Sequence, residues 1–126
     1  AVSDFKVKNK FKNKIKKKEA LNLNLEKNVD ILNYVSNHNS MRPKIVIGFA
    51  AETNEVLKNA KKKLNNKNCD WIISNDVSKK NIGFNSDYNE VTILYKNKSL
   101  KSEVLPYKSK SEISDEIVDR IIDQLN

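Results

Sequence analysis

At 126 residues and 14.5 kDa, with 38% hydrophobic content, the chain can hold one core and reads as one domain or part of one. A single cysteine excludes an internal disulfide, and one histidine leaves no zinc-like ligand set; no apolar run is long enough to cross a bilayer and no basic-then-apolar secretion signal opens the chain, so a reducing, cytoplasmic setting fits. The net charge of +8 is unevenly placed: Lys6 to Lys18 carries eight lysines and no acid, leaving 16 basic against 16 acidic groups elsewhere, although joint abundance of Lys and Asn also matches the residue usage of an AT-rich genome.

The chain opens Ala1-Val2-Ser3-Asp4-Phe5 without an initiating Met, as if at the end of a strand whose predecessor lies upstream in a larger polypeptide. From Lys6 to Lys18, lysines alternate with Val7, Asn9, Phe11, Asn13 and Ile15 in no helical or clean strand period, which predicts an exposed flap. Leu21, Leu23 and Leu25 then alternate with polar residues, the period of a half-buried strand, so residues 6–27 are expected to fold back as a ribbon. Asp30 is placed to cap a helix that runs to about His38 with Ile31, Leu32 and Val35 on one face, and Asn37 to Pro43 is loop.

Ile45 to Phe49 has the composition of a strand. A helix from about Asn54 buries Val56, Leu57, Ala60 and Leu64 and turns Lys58, Lys61, Lys62 and Lys63 to other faces, and Cys69 to Ser74, apolar on both faces, is a central strand. Residues 79–89 are loop; Glu90 to Tyr95 and Lys101 to Tyr107 are strands of an antiparallel edge hairpin turning at Lys96 to Ser99. Ser114-Asp115-Glu116 starts a last helix whose Ile117, Val118, Ile121, Ile122 and Leu125 form its buried stripe. The strand–helix–strand over Lys44 to Ser78 is the unit of a parallel sheet, which gives an α/β class and puts a ligand crevice between Phe49 to Asn54 and Ser74 to Ser78.

Several groups carry possible chemistry. Lys63 and Lys67, four apart at a helix end, project the same way and suit a triphosphate, against the plain alternative of a solvated helix face. The run Lys14-Ile15-Lys16-Lys17-Lys18 either closes over a charged intermediate or tracks a nucleic-acid backbone; only Phe5 and Phe11 are interleaved, and neither follows a known binding pattern. Gly48 permits a close backbone turn before Phe49, which either stacks on a base or closes the core. Glu52 and Asp76 are Mg²⁺ candidates or helix caps, Cys69 lacks an activating neighbour, and His38 sits in an Asn-rich loop where it reads as solvated.

Taken in order, Asp4, Lys14-Ile15-Lys16-Lys17, Asn28-Val29-Asp30-Ile31, Gly48-Phe49-Ala50-Ala51-Glu52-Thr53, Lys63 with Lys67, Asn75-Asp76-Val77 and Gly83-Phe84-Asn85-Ser86-Asp87 closely resemble the C-terminal part of bacterial phosphopantothenate-cysteine ligase, also called phosphopantothenoylcysteine synthetase. The resemblance covers essentially the whole chain. It implies a Rossmann-like three-layer fold with a mostly parallel sheet, an antiparallel edge hairpin and an extended lysine-rich flap, present as a partial domain: flap 6–27 and nucleotide-side core 28–126. It further implies a homodimeric enzyme, often fused behind a flavin-dependent decarboxylase that carries FMN. CTP with Mg²⁺ activates 4'-phosphopantothenate as an acyl-cytidylate, and the amine of L-cysteine displaces CMP.

By motif match Asp4, Lys14, Asn28, Val29, Asp30, Ile31, Phe49, Lys63 and Lys67 lie around CTP, Lys14 steadies the acyl-cytidylate as the catalytic residue, and Ala1 and Asn75 touch phosphopantothenate. No metal-binding residue is assigned. Val29 stands where the family usually has Pro, a tolerable change if contacts there run through the backbone. The family's glycine-rich strand-turn-helix and its substrate-binding Asn are expected upstream of Ala1, so this chain lacks about half of the synthetase fold.

Overall fold

Alternating β-branched stretches set the sheet, and amphipathic segments cover it on both faces. The computed structural model describes residues 3–10, 13–14, 22–79, 81–82 and 85–126. In chain order these form β1 (Phe5–Val7), β2 (Leu25–Lys27), α1 (Ile31–Ser36), β3 (Ile47–Glu52), α2 (Val56–Asn66), β4 (Trp71–Asp76), β5 (Tyr88–Tyr95), β6 (Glu103–Ser109) and α3 (Lys110–Leu125).

β3, β4, β5 and β6 make one four-stranded sheet in that order. β3 and β4 are parallel, from Ile47 opposite Trp71 to Glu52 opposite Asp76. The β4–β5 and β5–β6 ladders are antiparallel, the second interrupted by an irregularity between Asn89 and Val91. The sheet within this chain is therefore mixed, and the expected parallel pairing is confined to β3–β4, because only that connection carries a crossover helix. β1 and β2 pair antiparallel as a separate ribbon, Phe5 opposite Lys27, as their fold-back pattern predicts.

Three layers result. On one face Ala60 and Leu64 of α2, with Leu32 and Val35 of α1, pack on Val46, Ala50, Cys69, Ile72 and Leu94. On the other, Ile113, Ile117 and Ile121 of α3 pack on Trp71, Ile73, Val91, Ile93 and Leu105. α3 begins at Lys110 rather than Ser114, because Ser109 and Glu112 form a reciprocal capping box one turn earlier. Val118, Ile122 and Leu125 are about half exposed rather than buried, as are Leu57 of α2 and Leu23 and Leu25 of the ribbon.

At the edge of the α3 layer the Tyr95 hydroxyl donates to Glu103 Oε1 at 2.6 Å, and Arg120 Nε donates to Glu103 Oε2 at 2.9 Å. Burial, then the bond to Glu103, pushes Tyr95 up to about 12 from 10.0. The folded chain thus keeps this proton where the unfolded chain has lost it, and the stabilisation is complete below about pH 10 and fades as pH rises toward 12. Urea unfolding from pH 9 to 12 should show stability falling over that window, and Tyr95→Phe should flatten the fall; an unchanged slope in the variant would remove Tyr95 as its cause.

Candidate functional site

Along the side of β3 away from β4, the helix α1 and the base of the β1–β2 ribbon enclose a cleft of about 940 Å³. α1 exists because Asp30 caps it: Asp30 Oδ1 accepts from Asn33 N at 2.9 Å. It lies close on β3 over a bare backbone, since a Cβ on Gly48 would come within 2.7 Å of Leu32 Cδ2 and 2.8 Å of Ile72 Cδ1. The ribbon is tied to the α1 approach by Asn28, whose backbone N–H donates to Asp4 O at 2.9 Å and whose Nδ2 donates to Ser3 O at 2.6 Å.

Asp4, Asn28, Val29, Asp30, Ile31, Phe49, Lys63 and Lys67 all line this cleft. Lys63 and Lys67 reach it together, as their spacing on α2 predicts. Lys63 Nζ donates to Phe49 O at 3.0 Å, and Lys67 Nζ pairs with Asp30 Oδ2. The bond from Lys67, then that from Asn33 N, holds the Asp30 carboxyl below its ordinary value. Phe49 is 66% exposed and lines the cleft, so it does not close the core. Two ammonium groups in a cleft that an exposed aromatic residue also lines suit a ligand with a flat base and a polyanionic tail.

Other expected members lie elsewhere. Lys14 is exposed and does not line the cleft, and Ala1 falls outside the described residues. Asn75 sits at the carboxyl end of β4, its Nδ2 3.5 Å from Asn89 Oδ1, away from the cleft. Of the two stretches expected to flank a crevice, only Phe49 contributes, because Phe49 stands within β3 rather than at its end. Glu52 accepts from Asn59 Nδ2 at 3.4 Å, and Asp76 Oδ1 accepts from Ser78 N at 2.9 Å. His38 Nδ1 accepts from Met41 N at 3.1 Å and its ring meets Tyr34 edge-on, so it shapes the turn after α1 rather than standing free in solvent. Burial pushes the Cys69 thiol up, consistent with an inert core residue.

Among the described residues no group of three His, Cys, Asp or Glu could hold a metal ion, and no helix is long and apolar enough to cross a membrane. The sequence reading missed Ser3, Phe5 and Lys27, which the ribbon's fold-back brings to the cleft wall, and Arg42, which stands behind it. Arg42 did carry a signal: it is one of two arginines in a chain whose basic residues are otherwise lysine.

Residues 1–125 match the family model described as DNA/pantothenate metabolism flavoprotein C-terminal domain. The chain is 40% identical over 122 residues to the coenzyme A biosynthesis bifunctional protein CoaBC of Bacillus subtilis (strain 168), covering 96% of this chain and 29% of that protein. It is 42% identical to CoaBC of Borreliella burgdorferi over 121 residues, 94% of this chain and 29% of that one. It therefore spans about three-tenths of the length of these relatives. A crystal structure of the C-terminal domain of CoaBC aligns with a TM-score of 0.64 and 34% identity over 82% of this chain and 45% of that one. The DNA/pantothenate metabolism flavoprotein of Streptococcus pneumoniae shares the fold, with a TM-score of 0.64 at 24% identity over 84% of this chain and 43% of that one. By its match from end to end and by these relatives, the chain belongs to the DNA/pantothenate metabolism flavoprotein C-terminal domain family, the family of the C-terminal part of CoaBC.

Proposed function

We propose that this chain supplies the nucleotide side of a phosphopantothenate-cysteine ligase in coenzyme A biosynthesis, with CTP bound in the cleft beside β3. The observation that carries the reading is convergence: Asp4, Asn28 to Ile31, Phe49, and Lys63 with Lys67 come from four separate stretches and line one cleft. In this reading Phe49 lies against the base, Asp4 accepts from the ribose or the cytosine amine, and Lys63 and Lys67 take the phosphates. The Asn28 backbone N–H and one Nδ2 hydrogen already donate to Asp4 O and Ser3 O, so Asn28 meets the ligand through its remaining groups, and Val29 through its backbone.

The reaction asks for positioning and charge relief rather than a side-chain nucleophile. The carboxylate of 4'-phosphopantothenate attacks the α-phosphorus of CTP and expels pyrophosphate; the cysteine amine then attacks the acyl carbon and CMP leaves. Both steps build negative charge that fixed ammonium groups offset. Mg²⁺ bound with the triphosphate would supply further charge neutralisation. Lys14 steadies the acyl-cytidylate, and Ala1 and Asn75 contact phosphopantothenate. The rest of the synthetase fold, a second copy in a homodimer, a cytoplasmic setting and an FMN-bearing decarboxylase fused elsewhere belong to the same proposal.

Calorimetric titration of CTP, ATP and a short DNA duplex, each with Mg²⁺ at physiological salt, tests it. Saturable binding that prefers CTP is expected, and Lys63→Ala or Lys67→Ala should each weaken it by about 1 to 3 kcal/mol, the range for a charge-assisted hydrogen bond in a partly desolvated site. Salt-steep binding to the duplex with no preference among nucleotides would instead return the Lys6 to Lys18 arm to the nucleic-acid alternative.

A further inference from the structure

Behind the cleft, at the end of α1 remote from Asp30, one guanidinium gathers four acceptors. Arg42 Nε donates to Ser36 O at 2.8 Å, Nη1 to Pro43 O at 3.1 Å, and Nη2 to Asn68 O at 3.2 Å and Asp70 Oδ2 at 2.9 Å. Asp70 Oδ2 also accepts from Val46 N at 2.7 Å, which anchors the fork to the entry of β3. Ser36 is fully buried; its hydroxyl donates to Lys67 O, and its carbonyl also accepts from Asn68 Nδ2 at 3.3 Å. Asn68 takes a left-handed backbone, φ 54°, in the turn that follows Lys67 at the end of α2.

These contacts close a circuit. Lys67 leaves that turn and reaches back along α1 to Asp30, the residue that caps its start. A helix of six residues, about 9 Å long, does not hold itself. Its direction is set by Asp30 at one end, by Leu32 and Val35 beneath, and by the tie from Ser36 to Arg42 and Asn68 at the other. Carbonyls at a helix C-terminus lack intrahelical partners, and a cation there satisfies both their hydrogen bonding and the dipole.

We infer that Arg42 is a positioning residue of the nucleotide cleft: acting through Ser36 and Asn68, it fixes α1 against the end of α2 and so sets where Lys67, steadied by Asp30, meets the bound phosphates. The inference rests on the nucleotide reading of the cleft. A lysine replaces it only in part, since one ammonium has no planar fork to span acceptors on two sides.

The test is a double-mutant cycle of Arg42→Gln with Lys67→Met, read by calorimetric titration of CTP with Mg²⁺. It is joined by a second readout, the rate at which a thiol reagent labels Cys69, a fully buried residue packed in the same cluster as Leu32 and Val35. Arg42→Gln should weaken CTP about tenfold, Arg42→Lys by less, and the double variant should bind no worse than Lys67→Met alone, the signature of two residues acting as one unit. Cys69 labelling should quicken about tenfold in Arg42→Gln, as α1 opens more often, and clearly less in Lys67→Met, which keeps the Arg42 tie. Should Arg42→Gln fail to fold, Asp70→Asn takes its place in the cycle, since it removes the charged partner of the Arg42 fork and keeps an amide oxygen for Val46 N. Additive losses, or unchanged affinity in a folded Arg42→Gln, would overturn the inference. If Lys63→Ala and Lys67→Met both leave CTP affinity untouched, the nucleotide reading falls instead, and Cys69 labelling still decides whether Arg42 holds α1.

Discussion

Ile72→Ala should destabilise the chain by about 3 to 5 kcal/mol, toward the upper end for a buried aliphatic truncation. Ile72 is fully buried in β4, and β4 is hydrogen-bonded on both sides, to β3 at Gly48 and to β5 at Leu94. A backbone locked by two ladders cannot sink into the space the side chain leaves, so the void persists and its lining loses contacts outright. The site also lies under α1: Ile72 Cδ1 sits where Gly48 has no side chain, beside Leu32 and Cys69. Because small domains hold only about 5 to 15 kcal/mol in all, one such truncation removes a large share of the total. Urea unfolding should show a lower midpoint at constant m-value, with Ile72→Val costing about 1 kcal/mol as the graded control. A loss in Ile72→Ala no larger than in Ile72→Val would mean that this face of the sheet is not close-packed.

What could be read in advance follows from how local the cause is. Asp30 followed by apolar residues at 31, 32 and 35 specifies a capped amphipathic turn by itself, and α1 appears there. The parallel β3–β4 pair follows from a helix of crossover length between two apolar runs. The antiparallel β4–β5 ladder does not, because the polar stretch between them is neither a tight hairpin turn nor a crossover helix. In α3, periodicity yields two adjacent apolar stripes, one through Ile113, Ile117 and Ile121, the other through Val118, Ile122 and Leu125. Which stripe is covered depends on neighbours that a single helix does not encode. The cleft divides the same way. Lys63 and Lys67 were visible as an i, i+4 pair, whereas the Arg42 clamp joins residues 26 and 28 positions apart and becomes visible only once α2 has returned the chain beside α1.

Lys14→Ala, placed in the complete synthetase, should leave CTP affinity within about twofold of the parent while slowing the chemical steps by about 10²- to 10³-fold, the cost of removing one preorganised charge from a developing anion. The two effects separate because Lys14 does not line the cleft that holds the proposed triphosphate contacts. It belongs instead to the arm beyond β1, whose ribbon is fastened near the cleft through Asn28, Ser3 and Asp4. In the proposed reaction, a cation on that arm would act on charge that appears as pyrophosphate departs and again as CMP departs. Removing an interaction made only in the transition state lowers kcat and leaves ground-state binding alone. Rapid quench should show acyl-cytidylate persisting in Lys14→Ala, with Lys14→Arg recovering part of the rate because the charge is kept. Lys63→Ala in the same protein should show the opposite pattern, weakened CTP and a smaller effect at saturation. If Lys14→Ala instead loses CTP affinity in step with turnover, Lys14 is a binding contact and the charge relief must come from Lys63 and Lys67.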